Sequence, residues 1–186
     1  AGAQLVAPLI VGPPDPAWPA DTIEANVRVT RHTMWLVLYL LITIVAPVQH
    51  GLATIAAAAQ PMRIRSRAHA VWSLFAMAGS ILLIPAAVVW QQWLFVMVAP
   101  IGFIVGLRNL NYANQPFATP TAWQREHLTS MITAGIMLHT VMLVFASSPT
   151  LGLAFPGWTA LAPWTAPALF GLPIIFWLRN RWRAKL

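Results

Sequence analysis

The chain has 186 residues, 59% of them hydrophobic and only 8% charged, with 11 Lys and Arg against four Asp and Glu. Soluble domains carry about 25% charged residues, so this shortage, with a mean hydropathy of +0.68, excludes an ordinary soluble globular domain and a disordered chain. The net charge of +7 does not point to nucleic acid, because the arginines punctuate long apolar runs and form no dense basic face. Cysteine is absent, which excludes disulfides, thiolate metal sites and a cysteine nucleophile.

Residues 1–32 hold Pro8, Pro13, Pro14, Pro16 and Pro19 and are expected to form an irregular extracytoplasmic arm. Residues 32–62, 68–107 and 127–178 contain no Asp, Glu, Lys or Arg. A membrane-spanning helix needs about 20 mainly apolar residues. The first run therefore holds one span, and each of the others holds two. The second run divides at Trp90-Gln91-Gln92-Trp93, and the third between Ser147 and Gly157. The expected spans are 34–57, 69–90, 93–108, 127–147 and 159–178, a bundle of five transmembrane helices within residues 33–178. The third is short and the fifth is rich in proline. Residues 109–124 form the one sizeable connection, and 179–186 a basic tail. Helices are expected because lipid offers no partner for a free backbone N–H or C=O, so internal Pro47, Pro85 and Pro100 predict kinks, not helix ends.

Five spans put the chain ends on opposite sides. The side with the N-terminal segment sums to −1, and the side with Arg63, Arg65, Arg67, Arg108, Arg125 and the C-terminal cluster sums to +8. The positive-inside rule places the second side in the cytoplasm of a bacterial inner membrane. Tryptophan prefers the headgroup level. Trp18, Trp35, Trp90, Trp93, Trp158 and Trp164 fall at the outer ends of the spans, and Trp72, Trp123, Trp177 and Trp182 at the inner ends.

The chain carries no GxSxG, HExxH, Walker A or dinucleotide fingerprint, so no catalytic residue is nominated. None of the four carboxylates falls inside an expected span, which argues against a carboxylate proton relay. Histidine remains. An ionisable group within a span points to function, and neutral imidazole is a good axial ligand for haem b or a (bacterio)chlorophyll. By helix rise, His50 lies roughly 10 Å and His139 roughly 18 Å from the inner end, about 8 Å apart in depth. His69 and His127 share the inner surface and could face each other across one porphyrin. The plainer alternative is a histidine that hydrogen-bonds a neighbouring helix. A transporter or quinone-linked enzyme would need a shared cavity among His50, His139, Gln49, Thr43, Thr133 and Thr140.

Gly102 and Gly106 form a small-xxx-small pattern that lets helices approach closely, as do Ala53/Ala57 and Ala76/Ser80. Arg63, Arg65 and Arg67, with Arg179, Arg181 and Arg183, set topology and hold anionic headgroups. Ala46 lies one turn before His50, and Gly135 one turn before His139. A small residue there leaves room for a flat ring, and the element resembles the Ala-x-x-x-His unit of light-harvesting polypeptides, which implies a pigment ligand. Arg67-Ala68-His69 opening one span and Gln124-Arg125-Glu126-His127 opening another resemble small bacterial multispan membrane proteins with paired His and Arg at helix starts. That likeness covers 65–147, with Arg before His here, and implies a membrane fold without a particular activity. Short loops and uniformly apolar helices lead to the expectation of an accessory subunit of an energy-transducing complex, photosynthetic or respiratory. Its partners would be the lipid bilayer and other membrane subunits, not nucleic acid. A small haem or chlorin protein is the alternative.

Overall fold

A computed structural model describes residues 19–59, 66–114, 122–146 and 162–183. All five elements are helices: α1 Ala20–Ala59, α2 Arg67–Val89, α3 Trp93–Asn114, α4 Ala122–Ala146 and α5 Ala162–Arg183. The first four are long and apolar enough to cross a membrane; α5 is not among them. Pro167 and Pro173 lie inside α5, and its C-terminal turns carry Arg179 and Arg181. Arg63 and Arg65, residues 1–18 and the 147–161 segment lie outside the described residues, as does the side chain of Arg183.

Several boundaries differ from expectation. α1 starts at Ala20, so residues 20–32 are helical and not part of an irregular arm. Asp21 sits in its first turn, where the helix dipole favours a negative charge, and the Ile23 N–H bonds the Pro19 carbonyl. Over its 40 residues α1 is about 60 Å long. α3 runs to Asn114 and α4 starts at Ala122, so the third helix is not short and the connection after it is. Ser66 caps α2, its side chain accepting from the His69 N–H at 3.3 Å, as a serine N-cap does. The turn at Gln91 divides α2 from α3 where the Trp-Gln-Gln-Trp segment does. Gln91 has φ 56°, its N–H bonds the Val88 carbonyl, and the Gln92 N–H bonds the Ala87 carbonyl. That pattern is a Schellman stop with glutamine in the left-handed position.

α1 is the centre of the bundle. It packs on α2, α3 and α4, while α2 packs mainly on α3 and α5 on α4. Its buried seam, Leu36, Tyr39, Thr43, Ala46, His50, Thr54 and Ala57, repeats every three or four residues. The buried face of α2 has the same spacing: His69, Ser73, Ala76, Ser80, Leu83 and Ala87. These seams are small or polar. Leu82, Val89, Met97, Phe170 and Phe176 point outward, each more than half exposed. Water would penalise that distribution, whereas lipid is as apolar as leucine and favours small residues between helices.

Two of the three expected small-residue faces, Gly102/Gly106 and Ala76/Ser80, meet each other. A Cβ on Gly102 would stand 2.6 Å from the Tyr39 hydroxyl and 2.8 Å from the Ala76 carbonyl and Ser80 Oγ. One on Gly106 would strike the Ser73 carbonyl. Pro100 interrupts α3 just before this contact. There the Tyr39 hydroxyl donates to the Ala99 carbonyl at 2.6 Å and accepts from the Gly102 N–H at 2.8 Å, so a side chain of α1 serves backbone groups beside a proline. At the same end of the bundle His32 stacks on Trp90, ring centres 4.2 Å apart.

Gly102→Ala should lower stability by about 1–3 kcal/mol, the usual effect of forcing extra atoms into a packed contact. Gly135→Ala, where a Cβ meets nothing within 4 Å, should leave stability unchanged or raise it by up to about 1 kcal/mol through helix propensity. Thermal unfolding of the detergent-purified variants checks both signs.

Candidate functional site

The titratable groups of four helices meet at one level. His50 of α1 is completely buried, 0% exposed. Its Nδ1 lies 2.7 Å from His69 Nε2 of α2, and its Nε2 lies 3.1 Å from Glu126 Oε1 of α4. Arg108 of α3 donates to the same carboxylate oxygen. A carboxylate only accepts, so His50 Nε2 carries the proton it donates. A neutral His50 then has a bare Nδ1, which takes the proton of His69 Nε2. The direction runs from His69 through His50 to Glu126, and Arg108 closes the far end. Tyr112 packs edge-on against His50 at 5.4 Å.

This level exists because α1 and α3 overshoot the starts of α2 and α4. His50 lies well inside α1, yet it stands level with the first turns of its neighbours. Two expectations are corrected by it. Glu126 is inside α4 and its side chain is only 13% exposed, so an intramembrane-type carboxylate does exist. His69 faces His50, not His127. The His127 Nδ1–H donates to the Gly51 carbonyl at 2.9 Å, at the point where α1 and α4 come closest and a Cβ on Gly51 would meet Met131 Cε at 2.8 Å.

The two small-residue-before-histidine elements also part company. Ala46 is 1% exposed, and its carbonyl accepts from Asn109 Nδ2 at 3.3 Å. There is no room for a ring above it, and both ring nitrogens of His50 are engaged. Gly135 is open. His139 stands on the outer face of α4, and its Nδ1–H donates to the Gly135 carbonyl at 2.7 Å. That bond puts the proton on Nδ1 and leaves Nε2 with its lone pair and no hydrogen bond among the described residues. His139 lines a groove of about 410 Å³ between α4 and α5, walled also by Ile132, Ile136, Leu143, Pro167 and Phe170.

Of the remaining polar residues, Thr133 and Thr140 each bond the carbonyl four residues back in α4, and Thr43 bonds Tyr39 of its own helix. His50 and His139 therefore point to different faces of the bundle. Among the described residues, no group of three or more His, Asp or Glu is arranged to hold a free metal ion. Comparison with protein-family models, curated proteins and solved structures gave no match.

Removing either end of the buried contact leaves a desolvated partner, which costs about 1–3 kcal/mol. His50→Leu and Glu126→Gln should each destabilise by that amount and should couple by about 0.5–3 kcal/mol in a double-mutant cycle. In ligand-free protein, His139→Leu should stay within about 0.5 kcal/mol of the parent, as exposed positions do. Additivity of the first pair would show that the contact contributes nothing.

Proposed function

We propose that this protein is a five-crossing protein of a bacterial inner membrane, N-terminus out and C-terminus cytoplasmic. In this reading it is a non-catalytic accessory subunit of an energy-transducing complex, photosynthetic or respiratory, and it carries a metallotetrapyrrole, a chlorin or haem b, on His139. The observation that carries the reading is His139 on the wall of an apolar groove, its Nδ1 held by the Gly135 carbonyl and its Nε2 without a hydrogen bond among the described residues. An unpaired polar nitrogen facing hydrocarbon is unfavourable, and a tetrapyrrole metal would satisfy it.

The donor set suits such a group. A single imidazole with its tautomer held by a backbone carbonyl is an ordinary axial ligand. Gly135 leaves space for the macrocycle against the helix, and Phe170, Leu143 and Ile132 offer flat apolar contact. The group itself would supply light absorption or one-electron chemistry; the protein supplies the ligand, the orientation and a dry surround. The non-catalytic part rests on the other histidines. His50, His69 and Glu126 spend their polar atoms on each other, and this ties helices together as interhelical polar contacts do in membranes. The fifth crossing rests on the length of α5 and on the arginines at its end, which match the sign of the other cytoplasmic-side residues.

Protein isolated from its native membrane in mild detergent should show a Soret or chlorin band and bring other membrane subunits with it. His139→Ala should abolish that band and unfold at the temperature of the pigment-free wild type; His50→Leu should unfold below it. A colourless wild-type preparation, or a band that survives His139→Ala, would refute the ligand assignment. Recovery from native membrane as a lone monomer would refute the subunit role.

A further inference from the structure

A second opening lies at the other end of the helices, between α3, α4 and α5. It is a cleft of about 460 Å³, and Arg108, Arg125 and Arg179 converge on it with Glu126 as its one carboxylate. Glu126 is already shared between His50 and Arg108. Arg125 and Arg179 make no ion pair among the described residues. The sequence offers them no other carboxylate. Asp15, Asp21 and Glu24 all belong to the N-terminal segment, and Glu24 pairs with Arg28. Arg181 is placed differently, over the Trp177 ring at 5.1 Å. Two guanidinium groups therefore face one opening with no ion-pair partner among the described residues.

The walls say what kind of anion belongs there. Asn111 stands beside the arginines, and from Arg108 the cleft continues along Ile104 and Leu107, both more than a third exposed on the apolar face of α3. The site is charged at one end and hydrocarbon at the other. Guanidinium forks match phosphate oxygens in paired hydrogen bonds, and basic pockets between membrane helices are where lipid phosphates are held. We propose that this cleft binds the phosphate of an anionic phospholipid, with Arg125 and Arg179 on the phosphate and an acyl chain lying along Ile104 and Leu107. The site is independent of the groove at His139, and its lipid neutralises a bundle end that the polypeptide leaves positive.

The test is thermal unfolding of delipidated protein in non-ionic detergent, titrated with dioleoyl phosphatidylglycerol, dioleoyl phosphatidylcholine or inorganic phosphate. A ligand that binds only the folded state raises the unfolding temperature with its concentration. Phosphatidylglycerol should stabilise the wild type saturably, and the other two should not at equal concentration. Arg125→Gln and Arg179→Gln should each shift the titration midpoint at least tenfold, while Arg179→Lys retains part of the affinity. Arg28→Gln, a change of equal charge on an exposed part of α1, should bind as the wild type does. Arg179 is exposed, so its variants report on binding even where Arg125→Gln folds poorly. Equal stabilisation by phosphatidylcholine or by inorganic phosphate would overturn the proposal, as would wild-type midpoints in Arg179→Gln or a matching loss in Arg28→Gln.

Discussion

A hydrocarbon surround gives no hydrogen bonds, and in the membrane setting proposed for these helices most of the architecture would follow from that constraint. Polar side chains must meet one another or their own backbone. Ser73, Ser80, Thr43, Thr129, Thr133 and Thr140 each bond the carbonyl one turn back. His50, His69, Glu126 and Arg108 meet one another instead, drawn together from four helices. Their contact sets the relative height of those helices, because sliding one of them by a turn would leave His50 buried without partners. Polar contacts of this kind specify an arrangement more than they add stability, since their desolvation offsets much of the attraction.

The same constraint sorts the histidines by use. His50 and His69 lie on the buried seams, His50 with both ring nitrogens engaged by His69 and Glu126. His127 is held by a backbone carbonyl at the α1–α4 contact. His139 is set on an outer face beside open space and lines an apolar groove. Chemistry that needs an incoming ligand is therefore better placed at α4 and α5, on the edge of the bundle, than at its centre. The arginines of the α3–α4–α5 cleft follow the same division: Arg108 is tied to Glu126, whereas Arg125 and Arg179 make no ion pair among the described residues.

Much of the fold was legible because charge is so scarce. Long stretches without Asp, Glu, Lys or Arg announced the helices, and the Trp-Gln-Gln-Trp segment marked the one turn whose geometry is now clear. Helix ends were harder to read. Counting charges assumed that a helix stops where polar residues begin, yet α3 runs past Arg108 to Asn114 and α4 starts before Arg125. Those extra turns hide Glu126 inside the bundle, and for that reason the carboxylate was overlooked. A signal for the centre was present, since Thr43, His50 and Thr54 recur at the spacing of one helix face, and His69, Ser73 and Ser80 do the same. What the sequence could not supply was which faces meet, because that depends on how far one helix overshoots the next. The element before His50 and the one before His139 look alike as strings; only packing fills the space over Ala46 and leaves that over Gly135 open.

The central claim is that lipid surrounds this bundle and that the chain crosses it an odd number of times. The absence of native cysteine makes the direct measurement clean: single-cysteine variants at Thr22, near the start of α1, and at Asn180, near the end of α5, labelled in spheroplasts with a membrane-impermeant maleimide. The account predicts that Thr22→Cys reacts in intact spheroplasts and Asn180→Cys only after lysis. Labelling of both before lysis, or of Asn180→Cys alone, would contradict it.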